Sequence, residues 1–356
     1  MIKSIQPPLP LLRSIRHPHP RQQQQQIRSF AVFLSPHHRS SQFLVERGRA
    51  YNHQRIPTLT PLSRYTTTHK SPPQPQPPQP LADMAAEPTG LIATSGIELL
   101  TAGTPNGVKA SILLEELKDA YPGFKYTYQA IDMSKNTQKQ PWFVKINPNG
   151  RIPAIVDHDR GGFAVFEGSA ILSYLTRHYD PEHRLSFPPD SDDYSVAEQW
   201  IAWQHGGLGP MQGQANHFLY AAKENNPWGI QRYVGEAERL YGILDKRLED
   251  RDYIAGSGRG RYSIADIATV GWVYISRFSG LDTTQFPNVY AWLDRCLARP
   301  ATRRGMEVPT GPLRFGNEAL AKLEAEGDQD FLAKLKETRD KIAAAKAQYN
   351  YKYVSP

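Results

Sequence analysis

The order of short apolar segments between residues 96 and 179 constrains the fold more than any other feature. Segments 96–102 and 125–132 have strand character, and between them residues 108–120 place Val108, Ile112, Leu113 and Leu117 on one face of a helix. Further along are a short helix running into a loop (140–150), two strands (152–157 and 163–167) and an amphipathic helix (168–179). The pattern therefore predicts the order β-α-β-α-β-β-α.

The third of these strands begins at Pro153, and this position is informative. A proline at a strand edge that faces a ligand is a candidate for a cis peptide, here Ile152–Pro153. Such a bend leaves the N–H and C=O of Ile152 free to pair with an extended, peptide-like ligand. Together with the order of elements, it predicts an α/β thioredoxin-like domain at 95–180.

An all-α helical bundle is predicted at 191–305. Helical patterns cover 194–222 (disturbed at 206–210), 228–250, 262–278 and 288–305. The segment 262–278 is apolar on nearly every side, so we expect it to be buried. Ser263 and Asp266 form a capping box at its start. A charged extension follows at 306–356, and we expect its helix, 317–348, to be solvated.

Residues 1–94 are predicted to be a disordered leader. The net charge of residues 1–83 is +9 against +7 for the whole chain, so the remainder is close to −2. The high isoelectric point thus belongs to the leader and does not indicate a nucleic-acid-binding domain. An Arg- and Ser-rich, acid-poor segment is typical of a mitochondrial transit peptide, but a basic disordered tail fits equally. The expected location is cytoplasmic, for instance from a second start at Met84, or mitochondrial if the leader acts as a transit peptide.

Cysteine content excludes several chemistries. Cys296 is the single cysteine, so neither an intramolecular disulfide nor a Cys-x-x-Cys zinc cluster is possible, and no metal is expected. No segment approaches the roughly 18 apolar residues of a membrane helix. Cys296 itself falls within a predicted packed helix, which favours a buried structural side chain.

Two helix starts carry candidate binding groups. Thr104 and Asn106 precede the first helix, where hydroxyl and amide donors together with the helix dipole favour an anion such as a thiolate. No cysteine lies there, so the thiol would come from a bound cofactor. Glu167, Gly168 and Ser169 open a later helix and suit a carboxylate and an ammonium group. Each motif is also compatible with an ordinary turn or helix cap.

Six blocks of this sequence, in the same order, resemble the glutathione-transferase superfamily over about residues 95–305. They are TPNG (104–107), INPNGRIPAIVDH (146–158), FEGSAILSYL (166–175), WQHGGLGPMQGQ (203–214), IQRYVGEAERLYGILDKRLE (230–249) and YSIADIA (262–268). More narrowly they resemble the nu class, which are glutathione-dependent disulfide-bond oxidoreductases, and a fungal nitrogen-catabolite regulator built on the same fold.

The resemblance implies glutathione as substrate or cofactor, and a homodimer. Thr104 and Asn106 would flank its sulfur, and Ile152, before Pro153, would pair with its cysteinyl backbone. The other implied contacts are Asn149 and Arg151 at the glycyl end, Glu167, Gly168 and Ser169 at the γ-glutamyl end, and Gln214 with Arg232, the latter from the partner subunit. The family usually has Ser directly after the Glu, whereas Gly168 stands here.

Three functions remain open on the sequence. The first is reduction of a disulfide by glutathione or its disulfide form, with the bound thiolate as nucleophile. The second is conjugation of glutathione to an electrophile, which more usually relies on a Tyr or Ser hydroxyl that is absent from 103–107. The third is a non-enzymatic regulator on the same fold, which a long Asn/Gln-rich arm would favour.

Overall fold

Residues 90–354 are described by the computed structural model of this protein. Residues 1–89, which include most of the predicted leader and Met84, lie outside the described residues. The last part of the predicted leader, 90–94, packs on the first domain. The backbone N–H groups of Ile92 and Ala93 each donate to the buried carboxylate of Glu98 at 2.9 Å.

A four-stranded mixed sheet forms the first domain. Its strands are β1 (Ile97–Thr101), β2 (Tyr126–Ala130), β3 (Ala154–Asp157) and β4 (Phe163–Phe166), in the order β2-β1-β3-β4. Strand β1 pairs parallel to β2 and antiparallel to β3, and β4 is antiparallel to β3. Every residue of the two central strands, β1 and β3, is buried, as expected for strands covered on both faces.

Three helices belong to this sheet domain: α1 (Gly107–Ala120), α2 (Pro141–Ile146) and α3 (Gly168–Tyr179). With the strands they give the predicted thioredoxin-like order. Helix α1 differs in one respect from its predicted single apolar face, because every residue from 107 to 117 is buried. The cause is the second domain: Arg299 donates to Glu116 on α1 at 2.8 Å, and Ser111 donates to the C=O of Gly305 at 2.7 Å.

The second domain is all-helical, as predicted. Its helices are α4 (Asp192–Trp203), α5 (Gly209–Asn216), α6 (Pro227–Arg247), α7 (Ile264–Val273), α8 (Pro287–Leu297) and α9 (Pro300–Glu307). The disturbance predicted within 194–222 is a π-helical turn at Gln204–Leu208, and a second follows at His217–Ala221. The prediction of a single helix at 288–305 was wrong. The segment contains two helices, because Pro300 begins a new one.

The predicted capping box at Ser263 and Asp266 is confirmed. Both reciprocal contacts are present at the start of α7, and all of α7 is buried. The Asp266 carboxylate also accepts the indole N–H of Trp292 at 2.8 Å and the backbone N–H of Ile254 at 3.0 Å. Burial raises the pKa of Asp266 to about 6, and these hydrogen bonds oppose the rise. The capping box, through Asp266, therefore connects the start of α7 to α8 and to the loop at Ile254 in the core of the helical domain.

The C-terminal extension is helical, as expected, and most of its residues are exposed, but it is divided into two helices and one face is packed. It forms α10 (Asn317–Ala325) and α11 (Gln329–Gln348), and α11 packs along α6. Ile342 and Ala345 are buried there. Lys346 pairs with the buried carboxylate of Glu238 on α6. The Tyr351 hydroxyl donates to the C=O of Gly235 at 2.9 Å. Within residues 90–354, no helix is both long and apolar enough to cross a bilayer.

Candidate functional site

The turn between β1 and α1 contains the first candidate pair. The Thr104 hydroxyl oxygen accepts the N–H of Gly107 at 3.0 Å, and the Thr104 C=O accepts the N–H of Val108 at 3.0 Å. Thr104 therefore caps α1, as one reading of the sequence predicted. Because the oxygen acts as the acceptor, the hydroxyl proton of Thr104 can still be donated to a ligand. The capping role and the anion-binding role are compatible in one side chain.

Asn106 is held by a residue of the other domain. Its Oδ1 accepts the indole N–H of Trp272 at 3.1 Å, and Trp272 lies in α7. This contact fixes the orientation of the amide, so its NH₂ group remains available as a donor. Sequence reasoning missed Trp272. The available signal was an indole N–H inside a buried helix, which normally requires an acceptor.

The loop before β3 presents free backbone groups. The peptide bond Ile152–Pro153 is cis, as predicted. Within the described residues, neither the N–H nor the C=O of Ile152 has a hydrogen-bond partner. The Asn147 amide donates to the C=O of Arg151 at 2.6 Å, which holds the loop in place, and the Arg151 side chain is exposed. This backbone can accept an extended peptide.

Glu167 lies immediately before α3 and has an unusual backbone. Its φ of +70° is uncommon for a residue with a side chain and often marks a functional position. The Asn149 amide nitrogen is 3.3 Å from Glu167 Oε1, and His205 Nε2 is 3.3 Å from Oε2. Sequence reasoning missed His205, which the π-helical turn of the second domain directs toward Glu167. Gly168 is buried and Ser169 is half-buried at the start of α3.

Lys109 is a buried cation beside this helix start. Its side chain is on α1 and only 2% of the residue is exposed. Its ammonium donates to Gln204 Oε1 at 2.7 Å. Burial lowers the pKa of Lys109 to about 7, and the negative charge of Glu167 opposes that fall. Neither Lys109 nor Gln204 was recognised as a site residue from the sequence.

Two predicted residues lie apart from these groups. Gln214, on α5, and Arg232, on α6, are exposed. In the described part of the chain, no hydrogen bond or ion pair joins them to the other candidate residues. Arg232 instead lies 3.8 Å from the Glu236 carboxylate. Cys296 is fully buried, and burial raises the pKa of its thiol well above the ordinary value, which leaves it unreactive.

The arrangement has three parts that a small peptide with a thiol would need. Donors for a sulfur anion lie at the β1–α1 turn, free backbone groups lie before β3, and charged groups lie at the start of α3. Trp272, Gln204 and His205 reach the sheet domain from the helical domain, so both domains build the site. The arrangement contains no protein thiol among residues 90–354, because the buried Cys296 is the chain's one cysteine.

Comparison with known proteins identifies the family of both domains. Residues 96–177 match the family model of the glutathione S-transferase N-terminal domain, and residues 214–300 match that of the C-terminal domain. The Escherichia coli disulfide-bond oxidoreductase YfcG is 40% identical over 214 residues, which are 59% of this chain and 94% of that protein.

Solved structures give the same result. A glutathione transferase homologue from Lodderomyces elongisporus, with two glutathione molecules per subunit, is 42% identical with a TM-score of 0.56, covering 60% of this chain and 99% of that one. Ure2p in complex with glutathione is 31% identical with a TM-score of 0.56, covering 60% and 100%. The chain therefore belongs to the glutathione S-transferase superfamily, in the branch that contains YfcG and Ure2p.

Proposed function

We propose that this protein reduces disulfides with glutathione, using the bound glutathione thiolate as the nucleophile. The observation that carries this proposal is a sulfur site with donors and no protein thiol: Thr104 and the oriented amide of Asn106 are present, and Cys296 is buried elsewhere. Such donors at a helix start lower the pKa of a bound thiol. The relative YfcG, named a disulfide-bond oxidoreductase, supports the same chemistry.

The reaction balances with two glutathione molecules. The first thiolate attacks a substrate disulfide, forming a mixed disulfide and releasing one substrate thiolate, which takes up a proton. The thiolate of a second glutathione attacks the glutathione sulfur of that mixed disulfide. This step releases the second substrate thiolate, which is also protonated, and forms glutathione disulfide. The substrate disulfide gains two electrons, and the two glutathiones lose them. The relative crystallised with two glutathione molecules per subunit has space for both.

Binding of the tripeptide is assigned along its length. Ile152 pairs with the cysteinyl backbone through its free N–H and C=O, with Asn149 and Arg151 near the glycyl carboxylate. Glu167 pairs with the γ-glutamyl ammonium. At the same end, Gly168 and Ser169 offer backbone N–H groups to the α-carboxylate.

A homodimer completes the proposed site. Gln214 contacts the ligand from the helical domain, and Arg232 reaches the site of the partner subunit. Arg232 is exposed on α6, and in the described part of the chain no hydrogen bond or ion pair joins it to the other site residues, which supports this role. In a monomer, Arg232 would have no role in binding glutathione.

Conjugation of glutathione to an electrophile is the second candidate. The observation that favours it is the free hydroxyl proton of Thr104, because any stabilised thiolate also attacks electrophilic carbon. The same site would then transfer glutathione without any second thiol. The rate of disulfide reduction relative to the rate of conjugation decides which activity is the main one.

The test is an assay of both activities on the full chain. Wild type, Thr104→Ala, Asn106→Ala and the control Cys296→Ala are compared in reduction of 2-hydroxyethyl disulfide with glutathione and in conjugation of 1-chloro-2,4-dinitrobenzene. We expect disulfide reduction to dominate, to fall by roughly tenfold or more in the first two variants, and to be unchanged in the control. Dominant conjugation would support the transferase function instead. Loss of activity in Cys296→Ala would contradict a glutathione-only nucleophile, and absence of both activities with glutathione still bound would favour a regulator.

A further inference from the structure

Lys109 is a buried ammonium without a matching negative charge in contact. Among residues 90–354, no carboxylate lies within ion-pair distance of its Nζ, and its hydrogen bond is to the neutral amide of Gln204. An ammonium has three donors and strongly prefers water or a carboxylate. One neutral amide compensates only part of the cost of burying it.

The position of Lys109 points to the start of α3. A side chain added at Gly168 would bring its Cβ to 3.4 Å from Lys109 Cδ, so the lysine stem passes directly under the first residue of that helix. The first turn of α3 has no side-chain cap. The start of a helix favours an anion, and Lys109 adds a full positive charge behind it.

The charges around Lys109 leave room for one more anion. Glu167 attracts the ammonium electrostatically but lies outside ion-pair distance. His205 and Asn149 already contact the Glu167 carboxylate. Lys109 Nζ uses one of its three donors, on Gln204 Oε1, whereas the unpartnered Nε2 of Gln204 lies beside Gly209. A carboxylate arriving at the start of α3 would therefore meet an uncapped helix start and the positive charge of Lys109, which has donors to spare.

A purely structural role does not explain this lysine. An apolar side chain of similar length would fill the same space without the desolvation cost, and such replacements of buried charges are often neutral or stabilising. Residues that lower stability in this way are typical of binding sites, where a ligand supplies the missing partner. The ligand that fits is an anion.

We propose that Lys109 is a binding residue for the γ-glutamyl end of glutathione, providing the counter-charge for its α-carboxylate across Gly168. This inference rests on the proposed glutathione site and deepens it. Position 168 has no hydroxyl to donate to that carboxylate, and the ammonium of Lys109 compensates for it. Glu167 then binds the neighbouring α-ammonium, so the two charges of the ligand meet two opposite charges of the protein.

The experiment removes the charge on the protein and the charge on the ligand separately. Full-length wild type, Lys109→Met and Lys109→Gln are titrated calorimetrically at pH 6.5, without oxygen, with glutathione and with γ-aminobutyryl-cysteinyl-glycine, which lacks the α-carboxylate. Lys118→Met is the matched control, because it removes an exposed lysine from the same helix. Lys109→Gln keeps a polar group beside Gln204 if the methionine variant folds poorly.

We expect both Lys109 variants to bind glutathione roughly ten- to a hundredfold more weakly than wild type. Their affinity for the analogue should change by less than about twofold, because the lysine and the missing carboxylate form one interaction. An equal loss for both ligands, or no loss for either, would overturn the role of Lys109 and leave the proposed function standing. Failure of wild type to bind glutathione at all would refute the proposed function and this inference together.

Discussion

Replacing Lys109 with methionine should make the free protein more stable below pH 7, even though it weakens binding of glutathione. Methionine has a similar length and no charge to desolvate. The size of the effect follows from the pKa, which burial lowers from 10.5 to about 7 in the folded chain. That difference corresponds to about 4–5 kcal/mol against folding at pH 6. Losing the hydrogen bond to Gln204 and leaving its amide oxygen buried costs about 1–3 kcal/mol. The net expectation is a gain of about 2 kcal/mol.

The pH dependence of the stability of wild type provides a second, independent test of the cost of burying Lys109. Below pH 7 Lys109 is protonated in both the folded and the unfolded chain, so the full cost of burial applies. Between pH 7 and 10.5 the folded chain releases the proton while the unfolded chain keeps it. Because the unfolded state then binds more protons, the stability of wild type rises with pH in this window. Relative to the methionine variant, wild type should gain about 2.5 kcal/mol between pH 6 and pH 9.

Urea unfolding followed by circular dichroism measures both quantities, at one protein concentration and without glutathione. At each pH, the free energy of unfolding of wild type is subtracted from that of the methionine variant. The contributions of titratable groups that both proteins share cancel in this difference. A methionine variant that is less stable than wild type at pH 6 would show that the lysine stabilises the fold. A difference that does not change between pH 6 and 9 would show that its pKa is ordinary. Either result would refute the reasoning from burial.

Three further predictions concern other contacts. Gly168→Ser supplies a hydroxyl at the start of α3 and should strengthen glutathione binding by roughly threefold to tenfold in calorimetry, because one hydrogen bond contributes about 1 kcal/mol; unchanged affinity would place the γ-glutamyl carboxylate elsewhere. Trp272→Phe frees the amide of Asn106 and should lower kcat/KM for disulfide reduction roughly threefold to tenfold with an unchanged far-UV spectrum. Lys346→Met removes the cation paired with the buried carboxylate of Glu238 and should destabilise the chain by about 2–3 kcal/mol in urea unfolding. An unaffected midpoint would mean that the pair is solvated.

The fold was predictable because its signals are local. Periodicity, the proline at 153 and the capping box at Ser263 each act within a few residues, and the structure confirms the order of elements, the cis peptide and the cap that they predicted. Predictions of which residues are buried were less accurate where the two domains pack against each other. Residues 107–117 of helix α1 are all buried because α9 packs against them, and no pattern within 107–120 shows that.

The candidate site was predictable only where residues are neighbours in sequence. The turn at Thr104 and the helix start at Glu167 could be recognised because each motif is contiguous. Trp272 and His205 lie far along the chain from the groups they contact, at 3.1 Å from Asn106 and 3.3 Å from Glu167. Their roles arise from packing between domains, which a single sequence does not display.

The docked extension can also be considered as a ligand that the chain carries with it. A Cβ added at Gly235 would lie 2.7 Å from Tyr351 Cζ, so the ring rests directly on the backbone of α6. A tethered segment binds its own receptor at an effective concentration in the millimolar range, far above what a free peptide reaches. Contacts too weak to hold a separate peptide therefore suffice here, and the glycine at 235 is required only while the extension is attached.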